Sequence, residues 1–146
     1  MTNPDIARGW LRQAKNIFEE ARQNFQKQLW HLVVRRCQES VEMSLKALLA
    51  WIGLEIPRIH DVGFLLKKNK DRFPETIRDK VDQIQSISRH LKKERETSFY
   101  GDEELMLPPD VLYNSEDAKT ALTEAEFIYQ LAKVEIGEDE GVDGMG

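Results

Sequence analysis

The sequence has a single cysteine, Cys37, among 146 residues, which excludes an internal disulfide framework and fits a reducing compartment. Its three histidines, His31, His60 and His90, lie far apart and share no metal-ligand spacing, so no metal is expected. No apolar run approaches the length of a bilayer span, and the first residues are polar, so the chain reads as cytoplasmic and without a membrane partner. No segment alternates apolar and polar residues as a half-buried strand does, and no unit repeats. The patterns G-x-G-x-x-G, the P-loop, G-x-S-x-G and H-E-x-x-H are all missing, which removes the common dinucleotide, phosphate-loop, hydrolase and zinc-protease signatures. No cofactor is expected.

Charged residues make up 32% and apolar ones 40%, the balance of a folded soluble domain. The net charge is −5, and most of it comes from Glu138, Asp139, Glu140 and Asp143 near the end. Residues 137–146 are therefore expected to be a disordered acidic tail, and residues 1–136 one domain. Overall charge does not by itself call for nucleic acid or a membrane surface.

The most ordered pattern runs from Trp30 to Gly53. Val34, Cys37, Val41, Leu45, Leu48 and Ile52 recur at spacings of three and four, and Val33, Ser40, Ser44, Ala47, Leu49 and Trp51 widen the stripe to about half the helix surface. Such a helix is central, with neighbours on several sides. Gln38, Glu42 and Lys46 form a polar ridge at i, i+4 and i+8 along its edge. Gly53 suits a left-handed C-cap, and Pro57 prevents an easy restart.

Before this helix, Asn3, Pro4 and Asp5 start another that keeps its period through Trp10, Ile17, Phe18 and Phe25. Gly9 inside it costs about 1 kcal/mol against alanine unless a neighbour packs closely there. The joint Gln26-Lys27-Gln28 is so short that the two helices must form an antiparallel hairpin. After Gly53, Asp61 is placed to cap a short third helix through Leu66, followed by the polar run Lys67–Arg72. Pro74 opens a fourth helix, with Ile77, Val81, Ile84, Ile87 and Leu91 on one face to about Glu96. Residues Phe99–Tyr113 read as one long irregular segment, since Gly101 and Pro108-Pro109 block a helix, and segments of that length are often functional. The last helix starts at Asn114 or Ser115 and runs to roughly Val134. The expected fold is all-α: an antiparallel up-and-down four-helix bundle with one additional short helix.

The combination Q-E-x-x-E-x-x-x-K-A-L-L from Gln38 to Leu49, then G-x-x-x-P and H-D-x-x-x-L-L from His60 to Leu66, resembles the HEPN family of small helical bundles. In the last third, R-E-x-S-F-Y-G-D-E at Arg95–Glu103 and Y-x-x-x-D-A at Tyr113–Ala118 are similar to that family's arginine–tyrosine loop before the final helix. The resemblance covers about Asp5 to Val134. It implies a homodimer, nucleotide binding, and a small nucleotidyltransferase-like partner in a toxin–antitoxin or defence module. It also implies, for many members, a metal-independent endoribonuclease with an R-x(4–6)-H motif, in which arginine stabilises phosphoryl charge and histidine moves a proton. Here no arginine is followed by a histidine at that spacing, so ribonuclease chemistry needs a spatial pair such as Arg95 with His60 or His90.

Each candidate has two readings. Glu42 and Lys46 form a favourable helix pair, or Lys46 contacts phosphate while Gln38 directs a hydrogen bond and Glu42 holds Lys46. His60 and Asp61 cap a helix, or Asp61 orients an imidazole that meets an anion. Arg95 bonds helix-end carbonyls while Tyr100 covers the core, or Arg95 forks onto phosphate with Tyr100 stacking on a base and Asp102 alongside. The clusters Lys67-Lys68-Lys70-Arg72 and Arg89-Lys92-Lys93-Arg95 are solvated faces, or a strip for RNA or a partner. Cys37 belongs to the core. Trp10, Trp30 and Trp51 belong to the core or to a contact face. Three functions follow: a nucleotide- or RNA-phosphate-binding module, an endoribonuclease toxin, or a purely structural dimerisation module.

Overall fold

The computed structural model describes residues 4–55 and 62–137. The proposed caps at Asn3 and Asp61, His60, Pro57 and the acidic tail from Glu138 onward lie outside the described residues. Six α-helices are present among those described: α1 (Pro4–Gln26), α2 (Trp30–Trp51), α3 (Val62–Lys68), α4 (Glu75–Arg78), α5 (Val81–Tyr100) and α6 (Ser115–Ile136). The extended pairing among them is confined to one isolated bridge, Asp102 with Leu107.

Helix α2 is the centre. It packs along α1, α6, α5 and α3, as its broad apolar arc requires. Contacts along the helices fix their directions. Ser40 meets Ala14, and Arg36 lies 3.5 Å from Glu20, so α1 and α2 are antiparallel. Arg35 sits over the Phe99 ring, and Gln38 shares a cavity with Arg95, so α2 and α5 are antiparallel as well. Lys80 lies over Phe127 and His90 beside Glu124, which runs α5 against α6. The long helices therefore alternate up, down, up and down. α2 and α6, parallel to each other, touch across the short diagonal, whereas α5 makes few close contacts with α6.

Small side chains make that diagonal short. Ala7, Ala14 and Ala21 on α1, Val33, Ser40 and Ala47 on α2, and Ala118, Ala125 and Ala132 on α6 are all fully buried. Their seven-residue spacing holds each set on one seam, and lets the helix axes approach toward the lower end of the usual range of about 8–10 Å. Ser40 Oγ donates to the Ala14 carbonyl oxygen at 2.9 Å across the α1–α2 seam.

Turn chemistry fixes the ends. Gln28 takes φ 61° in the joint between α1 and α2, with Leu29 N donating to Asn24 O, a Schellman-type closure built without glycine. Gly53, at φ 82°, ends α2 as expected, and Leu54 N donates to Leu49 O. Arg72, in the 3-10 turn Lys70–Arg72, donates to the Ile52 carbonyl oxygen and so places a cation at the carbonyl end of α2.

Two boundaries differ from the sequence expectation. The helix read as starting at Pro74 breaks at Asp79–Lys80, where Lys80 has φ −112° and ψ 5°, into α4, a single turn, and α5. The break preserves the apolar series: Phe73, Ile77, Val81 and Ile84 are all buried. At its other end α5 does not stop at Glu96 but continues to Tyr100, because nothing in Thr97-Ser98-Phe99-Tyr100 opposes a helix and Gly101 is the first residue that does. Phe99 and Tyr100 therefore stand on the last turn of α5. The bundle carries two short helices, α3 and α4, in place of one. Asn114 caps α6 through a reciprocal box with Asp117, both bonds at 3.0 Å.

Candidate functional site

Between α2 and α5 lies a cavity of about 40 Å³. Gln38 and Glu42, four residues apart, face it from α2, and Ser88, Lys92 and Arg95, at spacings of four and three, face it from α5. Val41, Leu91 and Val62 supply apolar walls. Val62 opens α3 and directly follows Asp61 in the sequence, although His60 and Asp61 lie outside the described residues.

The defining feature is the amide of Gln38. The residue is 6% exposed, and its Oε1 has no hydrogen-bond partner among the described residues. Most buried polar atoms in folded proteins are paired, so this acceptor is an exception, in a residue that also lines the cavity. Glu42 is half-buried, and Lys92 and Arg95 are exposed. Neither cation takes part in an ion pair among the described residues. The cavity thus combines an amide and a carboxylate on α2 with two cations on α5.

Lys46 lies elsewhere. Its Nζ sits 5.1 Å from the centre of the Trp10 ring, on the α1 side of α2, and no ion pair joins it to Glu42 among the described residues. A cation over an indole face is a favourable contact in itself and ties α2 to α1. The polar ridge therefore divides: Gln38 and Glu42 face α5, while Lys46 faces α1.

Tyr100 is 65% exposed and packs edge-on against Phe99, with ring centres 4.6 Å apart. The Arg35 guanidinium lies 4.1 Å from the Phe99 ring centre. This aromatic pair stands about one turn beyond Arg95 on α5. Asp102 has a structural place: its backbone pairs with Leu107 at 2.9 Å in both directions, and its Oδ1 accepts from Leu105 N at 3.0 Å. It holds the tight turn in which Leu105 and Met106, the latter 87% exposed, stand out into solvent.

His90 belongs to the opposite side of α5. Five residues along an α-helix turn it by about 140° relative to Arg95. Its Nδ1 lies 3.2 Å from Glu124 Oε1, in contact but too poorly aligned to satisfy that buried oxygen. The two residues therefore do not converge into an arginine–histidine pair. His90 instead lines an open groove of about 330 Å³ between α5 and α6, together with Glu94, Tyr113 and Asp117. There the Tyr113 hydroxyl donates to Glu94 Oε2 at 2.7 Å, and burial, reinforced by Glu94, pushes its pKa well above the usual phenol value. Cys37 is fully buried, and burial, followed by the charge of Glu124, pushes its thiol pKa far up, which leaves it inert at neutral pH.

Among the described residues no cluster of three His, Cys, Asp or Glu side chains is placed to hold a metal ion, and no helix is long and apolar enough to cross a membrane.

The family model of the HEPN domain matches residues 7–136. The chain belongs to the HEPN family. Solved structures agree with this fold. The archaeal HEPN homologue ST0689 is 26% identical, with a TM-score of 0.67 over 93% of this chain and 99% of its own. TT1696 from Thermus thermophilus is 23% identical, with a TM-score of 0.70 over 88% of this chain and 97% of its own. No curated protein matches. Within this HEPN bundle the sequence pointed to Gln38, Glu42 and Arg95, which the fold brings together. It gave no weight to Ser88, which interrupts the apolar series Ile84, Ile87 and Leu91 and faces the same cavity, or to Arg35 and Phe99, whose pairing depends on α5 running four residues further than expected.

Proposed function

We propose that the α2–α5 cavity and the adjoining surface of α5 bind the phosphate of a nucleotide or of RNA, and that this HEPN domain works as a homodimer beside a nucleotidyltransferase-like partner in a toxin–antitoxin or defence module. The observation that carries the reading is the pair of exposed cations, Lys92 and Arg95, side by side on α5 at the cavity between α2 and α5. Arg95 offers a fork for phosphate oxygens and Lys92 a mobile point charge. Tyr100 offers an exposed ring on which a base can stack. Leu105, Met106 and Val111, all exposed, supply apolar surface for a protein contact.

The endoribonuclease reading has less support, because His90 is turned away from Arg95 toward Glu124. The test is equilibrium binding of the full chain to a labelled single-stranded RNA and to nucleoside monophosphates, in EDTA, at two salt concentrations. The expected result is salt-sensitive binding that weakens at least about tenfold in the Lys92→Ala/Arg95→Ala double variant, with the RNA left intact. Binding that ignores both salt and the double substitution would overturn the proposal. Cleavage lost in Arg95→Ala would replace it with the ribonuclease.

A further inference from the structure

We infer that the last turn of α5 and the segment before α6 form a docking surface for a different protein, one offering an apolar hollow rimmed by lysine and arginine; this rests on the protein contact proposed above. Nine large apolar side chains are exposed among the described residues, and six of them, Phe99, Tyr100, Leu105, Met106, Leu107 and Val111, fall between positions 99 and 111. Apolar side chains gathered in this way mark a contact face, whereas scattered ones do not. Residues 96–118 also hold seven acidic residues and no lysine, arginine or histidine. Glu96, Glu103, Glu104 and Asp110 are exposed, and none of the four takes part in an ion pair among the described residues.

The segment is held in shape. Asp102 and Leu107 exchange both backbone hydrogen bonds at 2.9 Å, and Leu105 N donates to Asp102 Oδ1 at 3.0 Å. Beside this turn, Phe99 is fixed between Arg35 and Tyr100. Within it, Met106 takes φ 56°, a left-handed backbone that glycine or asparagine adopts at less cost. The methionine gains nothing from the core in return, since its side chain stands in solvent. What it offers is a long, unbranched apolar side chain that adapts to a partner's surface. A turn already fixed loses little freedom on binding.

Charge decides the kind of partner. RNA and anionic membranes carry the same sign as these carboxylates and are repelled by them. A second copy related by a two-fold axis brings the identical patch, which would set Glu103 and Glu104 of each copy against those of the other. A different protein with a basic rim around an apolar centre fits both features. Its rim steers the encounter and rejects other surfaces, and its apolar centre holds the complex.

Calorimetric titration of the full chain with two synthetic amphipathic helical peptides tests this, both with leucine along one face and with either lysine or glutamate along the other. The lysine–leucine peptide is expected to bind at least about tenfold more tightly than the glutamate–leucine peptide, and to weaken as salt rises. Leu105→Ser/Met106→Ser, a change at two exposed positions, is expected to lower that affinity at least about tenfold. Glu103→Gln/Glu104→Gln is expected to lower it at least about threefold at low salt and to flatten the salt dependence. Equal binding of the two peptides, or lysine–leucine binding untouched by both double variants, would overturn the inference. A wild-type dimer in sedimentation that Leu105→Ser/Met106→Ser converts to monomer would overturn it too, since a second copy then covers the face. A chain that binds the lysine–leucine peptide but no RNA or nucleotide would overturn the phosphate site and leave this surface standing. A chain that binds RNA but neither peptide would do the reverse.

Discussion

Ser40 Oγ donates to the Ala14 carbonyl oxygen at 2.9 Å, joining α2 to α1 where both residues are fully buried. A carbonyl inside a helix already accepts a backbone hydrogen bond, so this second bond requires the two backbones to be close. Ser40→Ala is expected to lower stability by about 1 kcal/mol, the net worth of one buried neutral hydrogen bond. Ser40→Val, with two methyl groups forced between the helices, is expected to lower it by about 1–3 kcal/mol. Urea denaturation checks the order: valine should be the worse of the two, with an unchanged m-value for alanine.

Gly101 closes α5 with φ 78° and ψ −160°, a region of backbone space that is essentially restricted to glycine. A Cβ there would stand 2.1 Å from the Leu107 carbonyl oxygen, which is paired with Asp102 N. Gly101→Ala must therefore both strain the backbone and push the Asp102–Leu107 pair apart. A loss of at least about 2 kcal/mol is expected, read as a lower melting temperature. Gly101→Ala should also speed amide exchange at Leu107, whose N–H donates to Asp102 O.

Gly9 behaves in the opposite way. It lies inside α1, and a Cβ would meet only the end of the Arg12 side chain, at an ordinary 3.7 Å. The neighbour that could justify a glycine is missing among the described residues. Gly9→Ala should accordingly stabilise the protein by about 0.5–1 kcal/mol, visible as a rise in the denaturation midpoint.

The central place of α2 was legible because one helix carried apolar residues over half its surface. The start of α1 at Pro4, the end of α2 at Gly53 and the start of α6 at Asn114 or Ser115 follow from residue types with few other uses, whereas the reciprocal box between Asn114 and Asp117 went unread. What escaped the sequence depended on direction. The ridge of Gln38, Glu42 and Lys46 reads as one row, yet Lys46 is long enough to turn to Trp10, and only the placement of α1 decides that. The far end of α5 escaped because Phe99 and Tyr100 sit beside Gly101, and a breaker's influence was extended one turn too far back. The break at Lys80 left no mark, since the apolar series continues across it. For the site, spacing grouped Gln38 with Glu42, but the face of α5 opposite them emerged only once that helix was set antiparallel to α2.

Tyr113 anchors the segment between α5 and α6, and its ionisation gives a prediction with a definite sign. Its hydroxyl donates to Glu94 Oε2 at 2.7 Å, and burial and Glu94 together raise its pKa in the folded state. The folded chain therefore holds this proton at pH values where the unfolded chain, near the ordinary value of about 10, releases it. Stability from this group is fully present below that value and is lost as pH rises through and beyond it. Tyr113→Phe is expected to lower stability at pH 7 by about 1 kcal/mol, toward the lower end for a bond to a charged acceptor because the pair is partly solvated. Above pH 10 the wild-type advantage should shrink with each step, so that the two stability curves converge. Urea midpoints measured for both proteins between pH 7 and pH 11 check this; parallel curves would show that the hydroxyl keeps no proton on account of Glu94.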